Sequence, residues 1–309
     1  MPADLLPSAI VLPSGINQEA LLMVVRQLAW EAAAILRAYA RGDQPPFGYP
    51  AVLSVDDDPK GPVSAADLAV NDHLLAGLGN AFPTAPWTLL SEETASQWAQ
   101  GEPIDAEWLW ILDPLDGTKD FLQGTGEYAV HLALIHRQRP VLGAVLLPEL
   151  DQLWFGLVAA SQAWCESPSG DLQPVRFSLR QDLPELIPVT SRSHRDERLE
   201  QLTGSLGVAQ GLARGSVGGK IGAILRGETD LYISLSGRTA PKDWDMAAPE
   251  AVLLAAGGAF SHADGRPLLY NTGDSRQAGC LIASHGKAHQ ALCQAAAAAM
   301  ARIDPSFPL

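Results

Sequence analysis

Trp108-Leu109-Trp110-Ile111-Leu112-Asp113-Pro114-Leu115-Asp116-Gly117-Thr118-Lys119-Asp120 is the most informative stretch of this chain. Its apolar start reads as a buried strand, and the strand runs into two acids separated by a proline and a leucine. Pro114 has a fixed φ and no N–H to give, so the chain is expected to leave the sheet at Asp113. That turn can aim both carboxylates and the Leu115 carbonyl at one point, an oxygen set that suits a hard cation such as Mg²⁺. Gly117 and Thr118 then offer backbone N–H groups able to cradle a phosphate oxygen. An Asp-Pro turn followed by an Asp-Gly turn is the plain alternative. It suffices for either pair alone; for the whole run behind an apolar strand, a site is the better reading.

Further acids flank this stretch. Upstream, Leu89-Leu90-Ser91-Glu92-Glu93 also ends an apolar run in carboxylates, although a first-turn acid pair favoured by the helix dipole would look the same. Downstream, Lys242-Asp243-Trp244-Asp245-Met246-Ala247-Ala248-Pro249-Glu250 puts Asp245 where a helix N-cap is expected, with Pro249 in the first turn. An ordinary Asp cap accounts for it in isolation. Ser64-Ala65-Ala66-Asp67 has the form of a capping box with Asp in the last place. A buried Asp67 could equally accept a hydrogen bond from a catalytic hydroxyl, and the two roles are compatible.

Around these segments the pattern is that of a layered chain. Leu21, Val24, Val25, Leu28, Ala32, Ile35, Leu36 and Tyr39 recur at helical spacing and predict a helix over 17–39, stopped by Gly42 and Pro45-Pro46. A second helix is expected from Ser64 to Gly77 or Gly79. Short apolar runs at 87–90, 108–112, 128–135, 141–147 and 153–158 read as strands of a largely antiparallel sheet. The later half mixes strands at 187–190 and 231–234 with helices at 220–226, 246–256 and 287–303. An α/β chain of layered α+β type follows, with an N-terminal part over 1–184 carrying most of the acids and a C-terminal part over 185–309 completing the site.

Composition narrows the classes. The 309 residues are 47% hydrophobic, enough for a real core, and their formal charge is −14. A nucleic-acid polymer is an unsuitable partner for so acidic a chain. An anionic small molecule remains suitable if carboxylates hold divalent cations, because the local field then inverts. Cys165, Cys280 and Cys293 are far apart and odd in number, which gives no disulfide framework and fits a reducing cytoplasm. No signal peptide is expected at Met1-Pro2-Ala3-Asp4, and no apolar run reaches membrane-spanning length.

Taken together, Glu92-Glu93, Asp113 to Thr118, Trp244 to Ala248, and Pro62-Val63-Ser64-Ala65-Ala66-Asp67 resemble the inositol monophosphatase superfamily of lithium-sensitive, Mg²⁺-dependent phosphatases. The ordered motifs span roughly 15–295, and Ser64 departs from the family's usual Thr while keeping a hydroxyl. Finer features are similar to the CysQ-type 3′(2′),5′-bisphosphate nucleotidases: Gly117-Thr118-Lys119-Asp120-Phe121, Gly126-Glu127-Tyr128, Ser191-Arg192-Ser193-His194, and Gly215-Ser216 with Lys220. Without the resemblance, each of these is matched by a polar loop, a plain turn or a solvated lysine.

The resemblance implies the alternating helix and sheet layers of the inositol monophosphatase/fructose bisphosphatase-like fold. It implies a phosphomonoesterase that removes the 3′-phosphate of 3′-phosphoadenosine 5′-phosphate, in keeping with sulfur assimilation. It implies two Mg²⁺ ions, or three, on Glu92, Asp113, the Leu115 carbonyl, Asp116 and Asp245. Asp67, Glu92 and Thr118 are the implied catalytic residues. Gly117, Thr118, Ser191, His194, Ser216, Lys220 and Lys242 are implied on the substrate, with Arg192 a further cation for a second phosphate. A homodimer is compatible with it. Inositol 1-phosphate and fructose 1,6-bisphosphate are rival substrates within the superfamily. A haloacid-dehalogenase-type phosphatase is disfavoured because two residues, not one, separate Asp113 from Asp116. A non-catalytic binding protein on the same fold is the remaining class.

Overall fold

The computed structural model describes residues 11–58, 61–98, 101–192, 197–237 and 239–309. Helix α1 (Gln18–Arg41) is started by the Asn17 side chain, which accepts from Ala20 N–H, and is ended by Gly42 at φ 72°. After a two-stranded ribbon, β1 (Val55–Asp58) and β2 (Gly61–Ser64), helix α2 (Ala65–Ala81) begins on a complete capping box. Both helices lie on one face of a seven-stranded sheet. Its strands are β3 (Thr88–Ser91), β4 (Trp108–Asp116), β5 (Ala129–His136), β6 (Arg139–Leu147), β7 (Gln152–Leu157), β8 (Gln162–Glu166) and β9 (Leu172–Pro174), in sequence order. A short helix, α3 (Thr118–Leu122), links β4 to the segment before β5. The pairings are antiparallel, as the sequence predicts, except for β3, which runs parallel to β4.

The second half builds a five-stranded mixed sheet in the order β11 (Leu212–Arg214), β10 (Pro188–Ser191), β12 (Leu231–Ser236), β14 (Gly279–Ser284), β13 (Ala259–His262). Helices α5 (Val217–Leu225) and α6 (Asp243–Ala255) lie between the two sheets; α4 (Glu197–Leu206) and α7 (His289–Ile303) cover the outer face of the smaller one.

Burial explains the layering. On β4, Trp108, Trp110 and Leu112 pack toward α1 and α2, while Leu109 and Ile111 pack toward α5 and α6. A strand covered on both faces reads as a continuous apolar run, which is why 108–112 is so legible. The middle core draws residues from both halves of the chain: Ile111 and Val145 share it with Ile221, Val252, Phe260 and Leu281.

Several elements differ from expectation; the ribbon β1–β2, strands β8, β9, β11 and β13, and helices α3 and α4 have no counterpart in the sequence reading. α6 starts at Asp243, not near Met246, so Lys242 is the N-cap and Asp245 the third helical residue; Pro249 sits beyond the first turn, inside the helix. α5 starts at Val217, three residues before the predicted 220, because Ser216 caps it. Strand β14, fully buried in the smaller sheet, was not predicted; its Gly, Cys, Ala and Ser residues carry little β preference.

Candidate active site

The Asp113–Asp116 turn is a β-bulge. Asp113 pairs with His131 and Asp116 with Ala129, so three steps on β4 oppose two on β5. In a regular strand, residues three apart face opposite sides of the sheet. The extra residue rotates the chain and brings both acids to one side. Asp245 arrives from the first turn of α6, and carboxylate oxygens of Asp113, Asp116 and Asp245 lie within 4.8 Å of one another. Ser91 is in register with Leu112, so Glu92 follows β3 at the level where Asp113 follows on β4.

Each carboxylate is held differently. Asp113 is 0% exposed; Oδ1 accepts the Leu115 N–H at 3.0 Å, and Oδ2 is buried without a protein partner. Asp116 Oδ2 accepts from Val217 N–H at 2.5 Å and Gly218 N–H at 3.2 Å, so it caps α5, and His131 Nε2 lies 3.4 Å away. Gly218 is required for that approach, since a Cβ there would stand 2.5 Å from His131 Nε2. Asp245 accepts the Lys242 N–H. Glu92 keeps an exposed face.

The electrostatics are those of crowded, dry acids. Burial, more than any neighbour, pushes Asp116 and Asp245 up to about 6. Burial, then Glu92, Asp116 and Asp245, holds Asp113 well above the carboxylate range. Despite its exposed face, Glu92 is raised by the protein packed around it, then by Asp245, Glu93, Asp67 and Asp116. His131, fully buried, is pushed down to about 4 and is neutral at pH 7. Lys220 is lowered by burial, against the pull of Asp116 and Asp245. A hard divalent cation would relieve this repulsion, and the unpartnered Asp113 Oδ2 together with an all-oxygen donor set fits one.

Beside the acids stands a hydroxyl pair. Thr118 Oγ1 lies 3.0 Å from Asp67 Oδ1 and 3.2 Å from the Leu115 carbonyl. Asp67, 2% exposed, also accepts from Ser64 N–H at 2.8 Å and Ser64 Oγ at 2.5 Å. The capping box and the hydroxyl acceptor are therefore both present, on different oxygens.

The expected substrate residues divide. Gly117, at φ +96°, and Thr118 adjoin the carboxylates. Ser191 ends β10 in register with Arg214. Lys242 Nζ donates to the Ala240 carbonyl at 3.1 Å. Ser216 and Lys220 are both enclosed at the start of α5. Ser216 is 1% exposed and its Oγ caps Gly219 N–H; Lys220 is 3% exposed and its Nζ donates to the Gly215 carbonyl at 2.6 Å. Folding spends both on α5, and Lys220 acts as a countercharge beneath the acids. His194 lies outside the described residues. Sequence reading missed His131, whose one signal was a polar residue within the apolar run of β5, and the N–H groups of Val217 and Gly218.

The profile of the inositol monophosphatase family matches residues 17–301. The chain is 35% identical over 216 residues to the 3′(2′),5′-bisphosphate nucleotidase CysQ of Salmonella typhimurium, covering 69% of this chain and 81% of that one. It is 31% identical over 213 residues to a 3′-phosphoadenosine 5′-phosphate phosphatase of Mycobacterium tuberculosis, covering 67% and 72%. The fold is similar to that of the extragenic suppressor protein suhB from Bartonella henselae, with a TM-score of 0.70 at 23% identity over 90% of this chain and 98% of that one. The chain belongs to the inositol monophosphatase family and is a phosphatase. Among the described residues, no helix is long and apolar enough to cross a membrane.

Proposed function

We propose that this phosphatase removes the 3′-phosphate of 3′-phosphoadenosine 5′-phosphate, leaving AMP, by attack of water with Mg²⁺ bound. The observation that carries the reading is the convergence of Asp113, Asp116 and Asp245, with Asp113 Oδ2 buried and unpartnered. The names of the two relatives support the nucleotide as substrate.

Asp113, Asp116, Asp245, Glu92 and the Leu115 carbonyl would hold the metal, as two ions or three. When bound, Mg²⁺ supplies charge neutralisation and acidifies water. The remaining work falls to the chain. Asp67 accepts the Thr118 hydroxyl proton, which turns the Thr118 oxygen lone pairs toward other donors. Thr118 thereby orients the attacking water and takes its proton in concert with Asp67, with Glu92 on the opposite side. Asp116 is fixed through Oδ2 by α5; this rigidity suits a reaction whose catalysis is mostly positioning. Gly117, Ser191 and Lys242 would border the substrate, and a cytoplasmic setting fits the three free cysteines.

The test is phosphate release with Mg²⁺ from 3′-phosphoadenosine 5′-phosphate, inositol 1-phosphate, fructose 1,6-bisphosphate and AMP. The first should be preferred, and chelator should abolish release. Preference for inositol 1-phosphate or the sugar would overturn the substrate and leave the metal site.

A further inference from the structure

One buried ring joins the two elements that carry the three aspartates. On the inner face of β5, Ala129, Ala133 and Ile135 pack into the middle core, and His131, 0% exposed, is the polar residue among them. Opposed residues of an antiparallel pair share a face, and His131 is in register with Asp113. The imidazole therefore stands on the side of the sheet to which the bulge turns the two acids. Its Nε2 lies 3.4 Å from Asp116 Oδ2. Its Nδ1 lies 3.3 Å from the Trp244 carbonyl, the peptide oxygen immediately ahead of Asp245. A Cβ on Gly218 would stand 2.5 Å from Nε2, so the first turn of α5 closes on the same ring.

The partners of the ring fix its tautomer. A carbonyl only accepts, so Nδ1 carries the proton and donates it to Trp244. In the neutral ring Nε2 is then a lone pair, buried and without a hydrogen-bond partner. It is no ligand: among the described residues, the convergence comprises Asp113, Asp116 and Asp245 without the imidazole. Asp116 Oδ2 is already taken by the Val217 and Gly218 N–H groups, which leaves Oδ1 for a cation. The part of the ring that binds, Nδ1–H, therefore acts on α6 and not on a carboxylate.

Asp116 and Asp245 come from opposite halves of the chain, and Mg²⁺ demands near-ideal placement of its oxygens. Apolar packing is non-directional and sets no distance that finely, whereas a hydrogen bond has a defined length and direction. We propose that His131 is a positioning residue: its Nδ1–H, bonded to the Trp244 carbonyl, holds the first turn of α6 at the depth where Asp245 closes the Mg²⁺ site against Asp113 and Asp116. The inference rests on the metal-dependent reading above.

The experiment is calorimetric titration of Mg²⁺ into the metal-free full chain, paired with steady-state hydrolysis of 3′-phosphoadenosine 5′-phosphate and with Tm in chelator. His131→Asn keeps an amide donor near the position of Nδ1 and gives up the rest of the ring; His131→Phe keeps the bulk of the ring and has no donor. The Asn variant should bind Mg²⁺ within about threefold of the native chain, and the Phe variant about tenfold or more weaker, as for other groups that orient metal ligands. At saturating Mg²⁺ the nucleotide KM should be unchanged in both, with the loss in the Phe variant appearing in kcat. A space-filling role reverses the ranking, and a Phe variant near native beside an impaired Asn variant would overturn the proposal. Equal Mg²⁺ affinity in all three chains would do the same. Ile135→Val thins the same layer and should lower Tm while leaving Mg²⁺ affinity alone; a matching loss of affinity there would make the effect one of general packing. If the Phe variant does not fold, His131→Leu replaces it, since Leu matches Asn in shape and lacks the donor. A native chain that binds no Mg²⁺ would overturn the metal reading together with this one.

Discussion

Asp113 and Asp230 are both fully buried carboxylates, and the protein treats them in opposite ways. Asp230, at the start of β12, is met on both oxygens: Ser178 Oγ donates to Oδ1, while Arg180 Nε at 2.6 Å and Ile187 N–H at 2.7 Å donate to Oδ2. Asp113 has the Leu115 N–H on Oδ1 and nothing from the protein on Oδ2, with Asp116 and Asp245 facing it. Desolvating a charge is costly unless partners compensate. A buried acid with a full set of donors therefore serves the fold, whereas one lacking donors and surrounded by acids serves a cation.

The contrast breaks most sharply in activity. Asp113→Asn should abolish phosphate release, a loss of several kcal/mol in transition-state stabilisation or at least roughly a thousandfold. It should also weaken Mg²⁺ binding measured by calorimetry while leaving the metal-free fold intact. Asp230→Ala should do the reverse. It should cost about 3 kcal/mol in denaturant unfolding, because Arg180 and the Ile187 N–H lose their acceptor, and the folded fraction should bind Mg²⁺ normally. Normal turnover by the first variant, or unchanged stability in the second, would erase the distinction.

Thr118→Val tests the hydroxyl between these extremes. It removes the hydroxyl proposed to orient the attacking water and leaves every carboxylate in place, so kcat should fall on the order of a hundredfold with Mg²⁺ affinity kept. Equal losses in both would make Thr118 a support for the metal site.

The smallest effect is a slope in stability with pH. Asp116 and Asp245 are raised by burial to about 6, above the unfolded value near 3.8. The fold thus binds protons more tightly than the unfolded chain. Their contribution is present below about pH 4 and is lost as pH rises through about 6. With chelator, Tm should fall by a few degrees between pH 5 and 7.5. With saturating Mg²⁺ it should flatten or reverse, since metal binds the folded state. A metal-free Tm that climbs over this window would mean the acids are compensated from within.

Legibility followed the reach of each signal. α1 and α2, strands β3 to β7 of the larger sheet and the Asp113–Asp116 run could be read locally, because periodicity, caps and proline act over a few residues; β8 and β9 were not read. The capping box at Ser64 was read correctly, and so was the idea that Asp67 could serve a hydroxyl. Asp245 joins Asp113 and Asp116 but has another place in its helix than expected, since Lys242 takes the cap through its backbone and leaves no side-chain signature. Ser216 and Lys220 entered as substrate contacts through the resemblance alone; a plain turn and a solvated helix lysine were the local readings, and packing of α5 between two sheets buries both residues.

By itself, then, the sequence determined the inventory: which acids, in which turns, behind which strands, and the family to which their order belongs. Only the tertiary structure decided how that inventory is used. The bulge turns Asp113 and Asp116 to one side of the sheet, α5 spends its first N–H groups on Asp116, and β5 brings His131 onto the peptide carbonyl ahead of Asp245. The physical reason is that burial and charge act through space. Whether a carboxylate is satisfied depends on donors scores of residues away in the chain, and local sequence pattern carries no record of them.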